Sequence, residues 1–304
     1  MEHSLEFIKT CPACGSEKQT ENITCVDHTY SKDDFKVTEC GDCGLLFTNP
    51  RPTENAIGEY YHNPNYVSHT DTSEGLLFKI YNIVKTFSLR LKRKQIERLT
   101  RKRTILDYGA GTGDFSVALT RNGWNVSAYE PEPTAAAKIK EKSNNIKLVN
   151  SLEEISANSI AVVSLWHVLE HVHRLQETLI QFSRIIENNG HLVIAVPNHR
   201  SYDSQFYSQN WAAYDLPRHL YHFSPKTIIP LLEKHGFKLQ SIKPMWFDSF
   251  YVSLLSEQIK SNQEYSNSLI GWIRASAIGC LSNFYALTDT KKCSSVIYIC
   301  KKAV

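Results

Sequence analysis

A chain of 304 residues can hold one substantial α/β domain plus a smaller module, but not several large domains. Its 42% hydrophobic and 21% charged residues are the balance of a folded globular protein, which excludes a disordered or fibrous chain. The formal net charge of +3 provides no whole-molecule field for a polyanion, and the longest apolar stretch, residues 268–281, is too short to span a bilayer and is broken by Arg274.

The opening residues have no apolar leader core, so the expected compartment is the cytoplasm, where eight cysteines read as thiols or metal ligands rather than disulfides. Residues 1–52 carry two knuckles of identical form, Cys11-Pro12-Ala13-Cys14-Gly15 and Cys40-Gly41-Asp42-Cys43-Gly44. Four thiolates complete a tetrahedral zinc shell, and the glycine after each pair lets backbone N–H groups turn towards sulfur. A zinc ribbon on Cys11, Cys14, Cys40 and Cys43 is the expectation, against free thiols or a redox role. Its plain role is structural, and substrate or partner binding stays open.

Residues 53–102 form a helical basic linker. Ile80, Val84, Phe87 and Leu91 recur at helical spacing, while Arg90, Lys92, Arg93 and Lys94 concentrate positive charge. The spacing predicts an amphipathic helix packed on the core with a solvated basic face. Phosphate-bearing substrates, anionic lipid surfaces and RNA are the alternatives for that face.

From residue 103 to 304 short β-branched runs alternate with helix-like stretches, the pattern of a parallel sheet with crossover helices. The predicted strands are Thr104–Tyr108, Asn125–Tyr129, Ile146–Val149, Ile160–Leu165, His191–Val196, Lys238–Ile242 and Ser295–Cys300. Between the last two, residues 246–292 have helical apolar spacing at Phe250, Leu254, Leu255, Ile259, Leu269, Trp272, Ile273, Ile278 and Leu281. This segment is predicted to be a helical cap whose aromatics, Tyr251, Tyr265, Trp272, Phe284 and Tyr285, mostly pack.

The most informative segment is Asp107-Tyr108-Gly109-Ala110-Gly111-Thr112-Gly113-Asp114. An apolar strand ends, three glycines follow at alternate positions, and a helix begins near Asp114. Glycine permits the tight turn and a close ligand approach, and the helix N-terminus offers free N–H donors. A dinucleotide loop would place its third glycine at position 114. The spacing found, with the anion Asp107 beneath it, suits a sulfonium amino acid better than a pyrophosphate. Glu130, at the end of the second strand, is placed to accept hydrogen bonds from two ribose hydroxyls.

Asp107 to Gly113, Glu130 and the segment Leu165-Trp166-His167-Val168-Leu169-Glu170-His171-Val172 together resemble the class I, Rossmann-like S-adenosylmethionine-dependent methyltransferases. The likeness is greatest to the quinone-biosynthesis O-methyltransferase group and covers residues 103–304. It implies a seven-stranded doubly wound sheet with the last strand antiparallel. It further implies that Asp107, Gly109 and Gly111 contact the methionine part of the cofactor, with Gly113 also in the binding loop, that Glu130 holds the ribose, and that Ser151 and Leu152 lie along the adenine. Where relatives carry an acid for the adenine amine, this chain offers only Glu153. His167 is expected to face cofactor or acceptor.

Methyl transfer to a hydroxyl requires alignment of the acceptor and removal of a proton. His171 and His167 are the candidate bases, with Glu170 beside them. The competing reading makes Glu170, His171 and His222 ligands of a second divalent metal, because related enzymes carry a Glu-x-x-Glu-His segment here. His167 in place of the first glutamate favours a softer ion than magnesium. The plain reading is local hydrogen bonding. The segment after the fifth strand supplies Trp211, Tyr214, His219 and His222 as candidate acceptor contacts, on the side of the sheet where ligands bind.

The resulting expectation is O-methylation of a small-molecule acceptor, a sugar, lipid-linked or quinone-like compound. The alternative is a nucleic-acid methyltransferase that uses the ribbon and basic helix for binding. Oligomeric state is open.

Overall fold

The structure, a computed structural model, describes residues 4–61, 76–261 and 269–303, without the side chains of 76–83. The N-terminal segment forms β1 (Leu5–Glu6), β2 (Gln19–Val26), β3 (Asp34–Cys40), β4 (Leu46–Thr48) and β5 (Arg51–Pro52), followed by a 3₁₀ turn at Ile57–Tyr61. Helix α1 (Leu76–Glu97) leads into the main sheet.

Its strands are β6 (Thr104–Tyr108), β7 (Asn125–Tyr129), β8 (Ile146–Val149), β9 (Ile160–Trp166) and β10 (Ile186–Pro197), joined by α2 (Asp114–Thr120), α3 (Pro133–Lys142) and α4 (Leu175–Ile185). After β10 come α5 (Tyr202–Tyr207), the two-residue strand β11 (Tyr221–His222), α6 (Pro225–Lys234) and β12 (Phe237–Pro244). Helices α7 (Asp248–Lys260) and α8 (Leu269–Thr288) then lead to β13 (Ser295–Lys302). The seven-stranded order is β12-β13-β10-β9-β6-β7-β8, and β13 runs antiparallel to both neighbours. The parallel strands are apolar along nearly their whole length because both faces are covered, Ile160 to Leu165 being buried without interruption. The fifth strand starts earlier than the β-branched run suggests, with Ile186 pairing Ile160 before the register shifts at His191.

β11 does not belong to this sheet. It adds antiparallel to β4, giving a second sheet of order β11-β4-β3-β2. The cysteine module is thus stitched by backbone hydrogen bonds to the segment after the fifth strand. The apolar core is continuous across the junction: Cys11, Cys40, Leu45 and Phe47 pack in one cluster with Leu106, Leu179 and Tyr221.

Two helical expectations need correction. On α1, Phe87 and Leu91 face outward, while Ile96 is fully buried and Leu89 packs beside it. Ile80 falls among the side chains outside the description. The helix packs on α2, with Ile96 and Leu89 in the cluster that covers that side of the sheet. In the cap, the inner stripe is built of small residues, Ser249, Ser253, Ser256, Ala275, Gly279 and Ser282, so α7 and α8 approach closely. A Cβ on Gly279 would lie 2.6 Å from a Phe250 ring carbon. Leu269, Ile273 and Leu281 point to solvent instead, as do Tyr251, Phe284 and Tyr285; Tyr265 lies outside the described residues.

Candidate active site

The carboxyl ends of β6, β7, β8 and β9 converge on one edge of the sheet, and the predicted loop sits there. Gly109, Gly111 and Gly113 have φ of 74°, 54° and 79°, a region that L side chains avoid. Each glycine has a different task. A Cβ on Gly109 would stand 2.7 Å from Val168 Cγ1, and one on Gly113 2.8 Å from Ile139 Cγ1. A Cβ on Gly111 would meet nothing within 4 Å. The first and third glycines therefore let the loop pack, and the second keeps a hollow open.

Two acids flank that hollow. Asp107 is buried beneath it, its Oδ2 accepting from Ser116 Oγ (2.7 Å) and its Oδ1 from Ser164 Oγ (3.2 Å). Burial pushes its carboxyl up to about 6, against the lowering effect of both serines. Glu130 Oε2 accepts from the Gly111 N–H (2.7 Å) and Oε1 from the Glu132 N–H (3.0 Å), which fixes the carboxylate at the rim with lone pairs to spare. Ser151 caps a 3₁₀ turn and donates to Glu153 Oε2 at 2.6 Å, and Leu152 is buried beside them. A hollow with an anion below, a fixed carboxylate at one side and an apolar floor suits a cationic nucleoside-bearing donor.

Past β9 the chain turns through His167, whose φ of 58° swings the ring back over the strand edge. His167 Nε2 bonds Asp248 Oδ2 at 2.8 Å, and its Nδ1 lies 3.4 Å from Glu170 Oε1. Burial lowers the imidazolium pKa, but the Asp248 and Glu170 carboxylates outweigh it and push His167 up to about 10. It is a fixed cation at neutral pH.

Glu170 is fully buried, and neither of its carboxylate oxygens has a hydrogen-bond donor at proper geometry. One donor atom each from Glu170, His171 and His219 lies within 4.8 Å of the others. His171 Nδ1 lies 3.0 Å from the Arg218 carbonyl oxygen and 2.8 Å from the Tyr61 hydroxyl, and His219 Nδ1 lies 2.8 Å from the Ala213 carbonyl oxygen. A carbonyl can only accept, so each Nδ1 carries a proton, while His219 Nε2 lies 3.8 Å from Asp215 Oδ2. Burial and the neighbouring His219 bring His171 down to about 4, so it is neutral.

Residues 83–242 match the model of a family described as a methyltransferase domain. The chain belongs to this methyltransferase family. It is 27% identical to the ubiquinone biosynthesis O-methyltransferase of Rickettsia canadensis over 159 residues, 48% of this chain and 67% of that one. It is 25% identical to the enzyme of the same name from Rickettsia akari over 190 residues, 59% and 76% of the two chains. Its fold resembles a Galdieria sulphuraria protein assigned as a sarcosine dimethylglycine methyltransferase. The TM-score is 0.50 at 15% identity, over 74% of this chain and 88% of that one. The chain is thus an S-adenosylmethionine-dependent methyltransferase, and the loop, acids and histidines above lie within or beside the matched domain.

Several expected site residues of this methyltransferase are placed elsewhere. His222 pairs with Leu46 in β11, and its Nε2 lies 3.4 Å from Thr48 Oγ1, so His219 takes the position expected for it in the three-donor cluster. The reason is register: β11 commits residue 222 to the second sheet, while the preceding turn, closed by the His219 N–H on the Asp215 carbonyl, leaves His219 facing Glu170. Trp211 and Tyr214 are buried in the cluster between module and main domain, packed edge to face at 5.2 Å, and Trp211 Nε1 donates to Asp203. They shape the loop from behind.

The structure also brings in Tyr61, Asp27 and Asp248, which no local pattern marked, and turns Lys92 of the basic helix towards the domain rather than to solvent. Tyr61 reaches His171 from the N-terminal segment, and Asp27 accepts from Arg218, itself paired with Asp215. Asp248 comes from the cap. Lys92 places its Nζ 4.6 Å from the centre of the Trp166 ring; burial lowers its pKa, opposed by Asp248 and Asp107. Each is far in sequence from its partner, and only a signal for tertiary proximity could have found them.

Of the paired knuckles, Cys11 and Cys43 sulfurs are 3.6 Å apart and Cys14 and Cys40 sulfurs 3.5 Å, all four within 4.8 Å of one another. A tetrahedron of sulfurs around zinc at about 2.3 Å has edges of roughly 3.8 Å, so the four thiols fit that ion. Gly15 and Gly44, at φ of 81° and 75°, close each knuckle by donating to the Cys11 and Cys40 carbonyls.

Proposed function

We propose that this methyltransferase transfers a methyl group from S-adenosylmethionine to a hydroxyl oxygen of a small-molecule acceptor. The observation that carries the reading is the fully buried carboxylate of Glu170, which lies within 4.8 Å of a ring nitrogen of His171 and of His219 and has no well-formed hydrogen bond. Val168, two residues upstream of Glu170, packs against Gly109, so this cluster borders the cofactor hollow. The name of the Rickettsia relatives supports oxygen as the methylated atom.

Gly109, Gly111 and Gly113 shape the cofactor hollow, Asp107 supplies its negative potential, Glu130 holds the ribose hydroxyls, and Ser151 with Leu152 borders the base. Bound there, the donor supplies an electrophilic methyl on a cationic sulfur. The acceptor oxygen attacks that methyl as the sulfur–carbon bond breaks, and its proton leaves to the chain.

His167 stays charged and acts as a hydrogen-bond donor at the mouth rather than as the base. His171 is the proton acceptor or, together with Glu170 and His219, a ligand of a divalent ion. Two imidazoles and one carboxylate suit a first-row transition ion, which would lower the pKa of an acceptor hydroxyl. Cys11, Cys14, Cys40 and Cys43 hold a structural zinc, which fixes the module that carries Tyr61, Thr48 and Asp27 into the site.

The test is Glu170→Gln, nearly isosteric and uncharged. Turnover of labelled donor with catechol-like and sugar hydroxyl acceptors should fall by roughly 10²–10⁴, with donor affinity unchanged by calorimetry. Full turnover in the variant refutes the reading.

A further inference from the structure

We propose that the outer face of α8, together with the outer side of α1, docks this protein on an anionic lipid bilayer. Helix α8 is apolar on both sides. Its inner side buries Ala275, Ile278, Ser282 and Ala286 against the domain. Its outer side leaves Leu269, Ile270, Ile273, Leu281, Phe284 and Leu287 in solvent, with Leu269 at 74% and Phe284 at 61% exposure. At 1.5 Å per residue this stripe runs about 30 Å, and exposed apolar surface of that extent marks an interaction site. No described helix is long and apolar enough to cross a membrane, so the geometry is that of a helix lying on one.

Charge decides the occupant. Exposed Lys260, Arg274, Lys291 and Lys292 border the hairpin, with Lys292 Nζ 5.9 Å from the Tyr285 ring centre. Of the described acids of the hairpin, Asp248 turns to His167, Glu257 pairs with Tyr207 and Arg274, and Asp289 accepts from the Lys291 N–H, which leaves Lys260, Lys291 and Lys292 to set the sign of the border. Helix α1 repeats the character independently, exposing Phe87 and Leu91 together with Arg90 and Lys94. Phe87 meets Phe247 edge to face at 5.9 Å, which joins the two surfaces. An apolar strip with a cationic border complements anionic headgroups. In a two-fold dimer the same borders would face each other and repel.

Phe247 and Phe250 flank Asp248, so the docked face adjoins the mouth where Asp248 holds His167. An acceptor drawn from the bilayer, hydroxyl-bearing and lipid-linked, would enter there; this last point rests on the methyl-transfer reading above, whereas the docking does not.

The full chain should sediment with vesicles of phosphatidylcholine and phosphatidylglycerol, and much less with phosphatidylcholine alone. Lys291→Ala with Lys292→Ala should lower the partition coefficient roughly fivefold per charge removed. Ile273→Asp with Phe284→Asp should abolish it. Calorimetric affinity for S-adenosylmethionine should be unchanged in both variants, so loss of docking and loss of cofactor binding are read separately. Failure to sediment with the anionic vesicles, or equal binding by the double-alanine variant, overturns the proposal. So does a lipid-free dimer in ultracentrifugation that Ile273→Asp with Phe284→Asp dissociates, since a second copy would then be the occupant.

Discussion

Thr48 Oγ1 donates to the His219 carbonyl at 2.6 Å, joining residues 171 positions apart in a buried hydrogen bond. The Thr48 N–H donates to the Leu220 carbonyl at 3.0 Å, and the Leu220 N–H in turn to the Glu170 carbonyl at 2.7 Å. One chain of backbone groups therefore runs from the cysteine module through the His219 segment to the acid of the candidate site. The module is not an appendage; it is tied by buried hydrogen bonds to the segment that carries the candidate site.

Zinc removal should therefore act on turnover before it acts on cofactor binding. The four thiols hold the ends of β3 and of the first knuckle, and β4 hangs from β3. The glycine hollow is built from β6, β7 and their loops, with Val168, Ile139 and Ser164 of the main domain packed or bonded to it. Purified protein should contain one zinc per chain. A chelator should abolish turnover while donor affinity, measured by calorimetry, changes by about twofold or less. Thr48→Val, which removes only the hydroxyl donor, should cost about 1 kcal/mol of stability and lower kcat with donor affinity intact.

The three glycines should respond differently to alanine. Gly109→Ala drives a methyl into Val168 and should cost about 1–3 kcal/mol, the usual range for overpacking, seen as a lowered Tm. Gly111→Ala meets no atom, so its cost is the left-handed backbone alone, about 1–2 kcal/mol. Its methyl projects into the hollow, however, and should weaken S-adenosylmethionine and its demethylated product together. Equal donor affinity in Gly111→Ala and wild type would show that the hollow is not the binding site.

The sheet and the cofactor loop were legible from local sequence. Thr104–Tyr108 and Asn125–Tyr129 were readable because a β-branched run, a glycine turn and a helix start lie within 15 residues of each other. The two knuckles were readable because four cysteines at fixed spacing have few other uses. The acceptor side was not. His219 and His222 are three residues apart and chemically identical, and only the pairing of β11 with β4, which sets His222 opposite Leu46, decides which one faces Glu170. The outward turn of Phe87 and Leu91 was missed for a related reason. Periodicity finds an apolar stripe but does not say whether protein or another phase covers it.

Tyr61 and His171 offer a separate test of the three-donor cluster. Tyr61→Phe removes a hydroxyl from beside Nδ1, while the Arg218 carbonyl still holds the tautomer. Turnover should fall by about 10–100-fold, as for loss of a group supporting a metal or base. His171→Ala should lose about 10²–10⁴. If an ion is held there, metal analysis of His171→Ala should retain the single zinc and lose any second metal. A wild-type rate in His171→Ala would leave its imidazole a packing role.

Asp107 makes a pH prediction whose sign can be worked out. Its carboxyl is raised by burial to about 6 in the folded protein, above the ordinary aspartate value near 4. The folded state therefore binds this proton more tightly than the unfolded chain. The site's contribution to stability is greatest below about pH 4 and is lost as pH rises through about 6. A cationic sulfur donor above it has the opposite preference, because it is attracted only to the ionised form. Donor affinity should thus fall as pH drops below about 6, towards tenfold per unit if the proton must leave on binding. The step should vanish in Asp107→Asn, which would bind weakly at every pH. It should move to higher pH in Ser116→Ala, which removes the 2.7 Å donor that steadies the carboxylate. Calorimetric titrations with S-adenosylmethionine between pH 5 and 8 read all three, and a flat wild-type profile would show that Asp107 does not face the donor's charge.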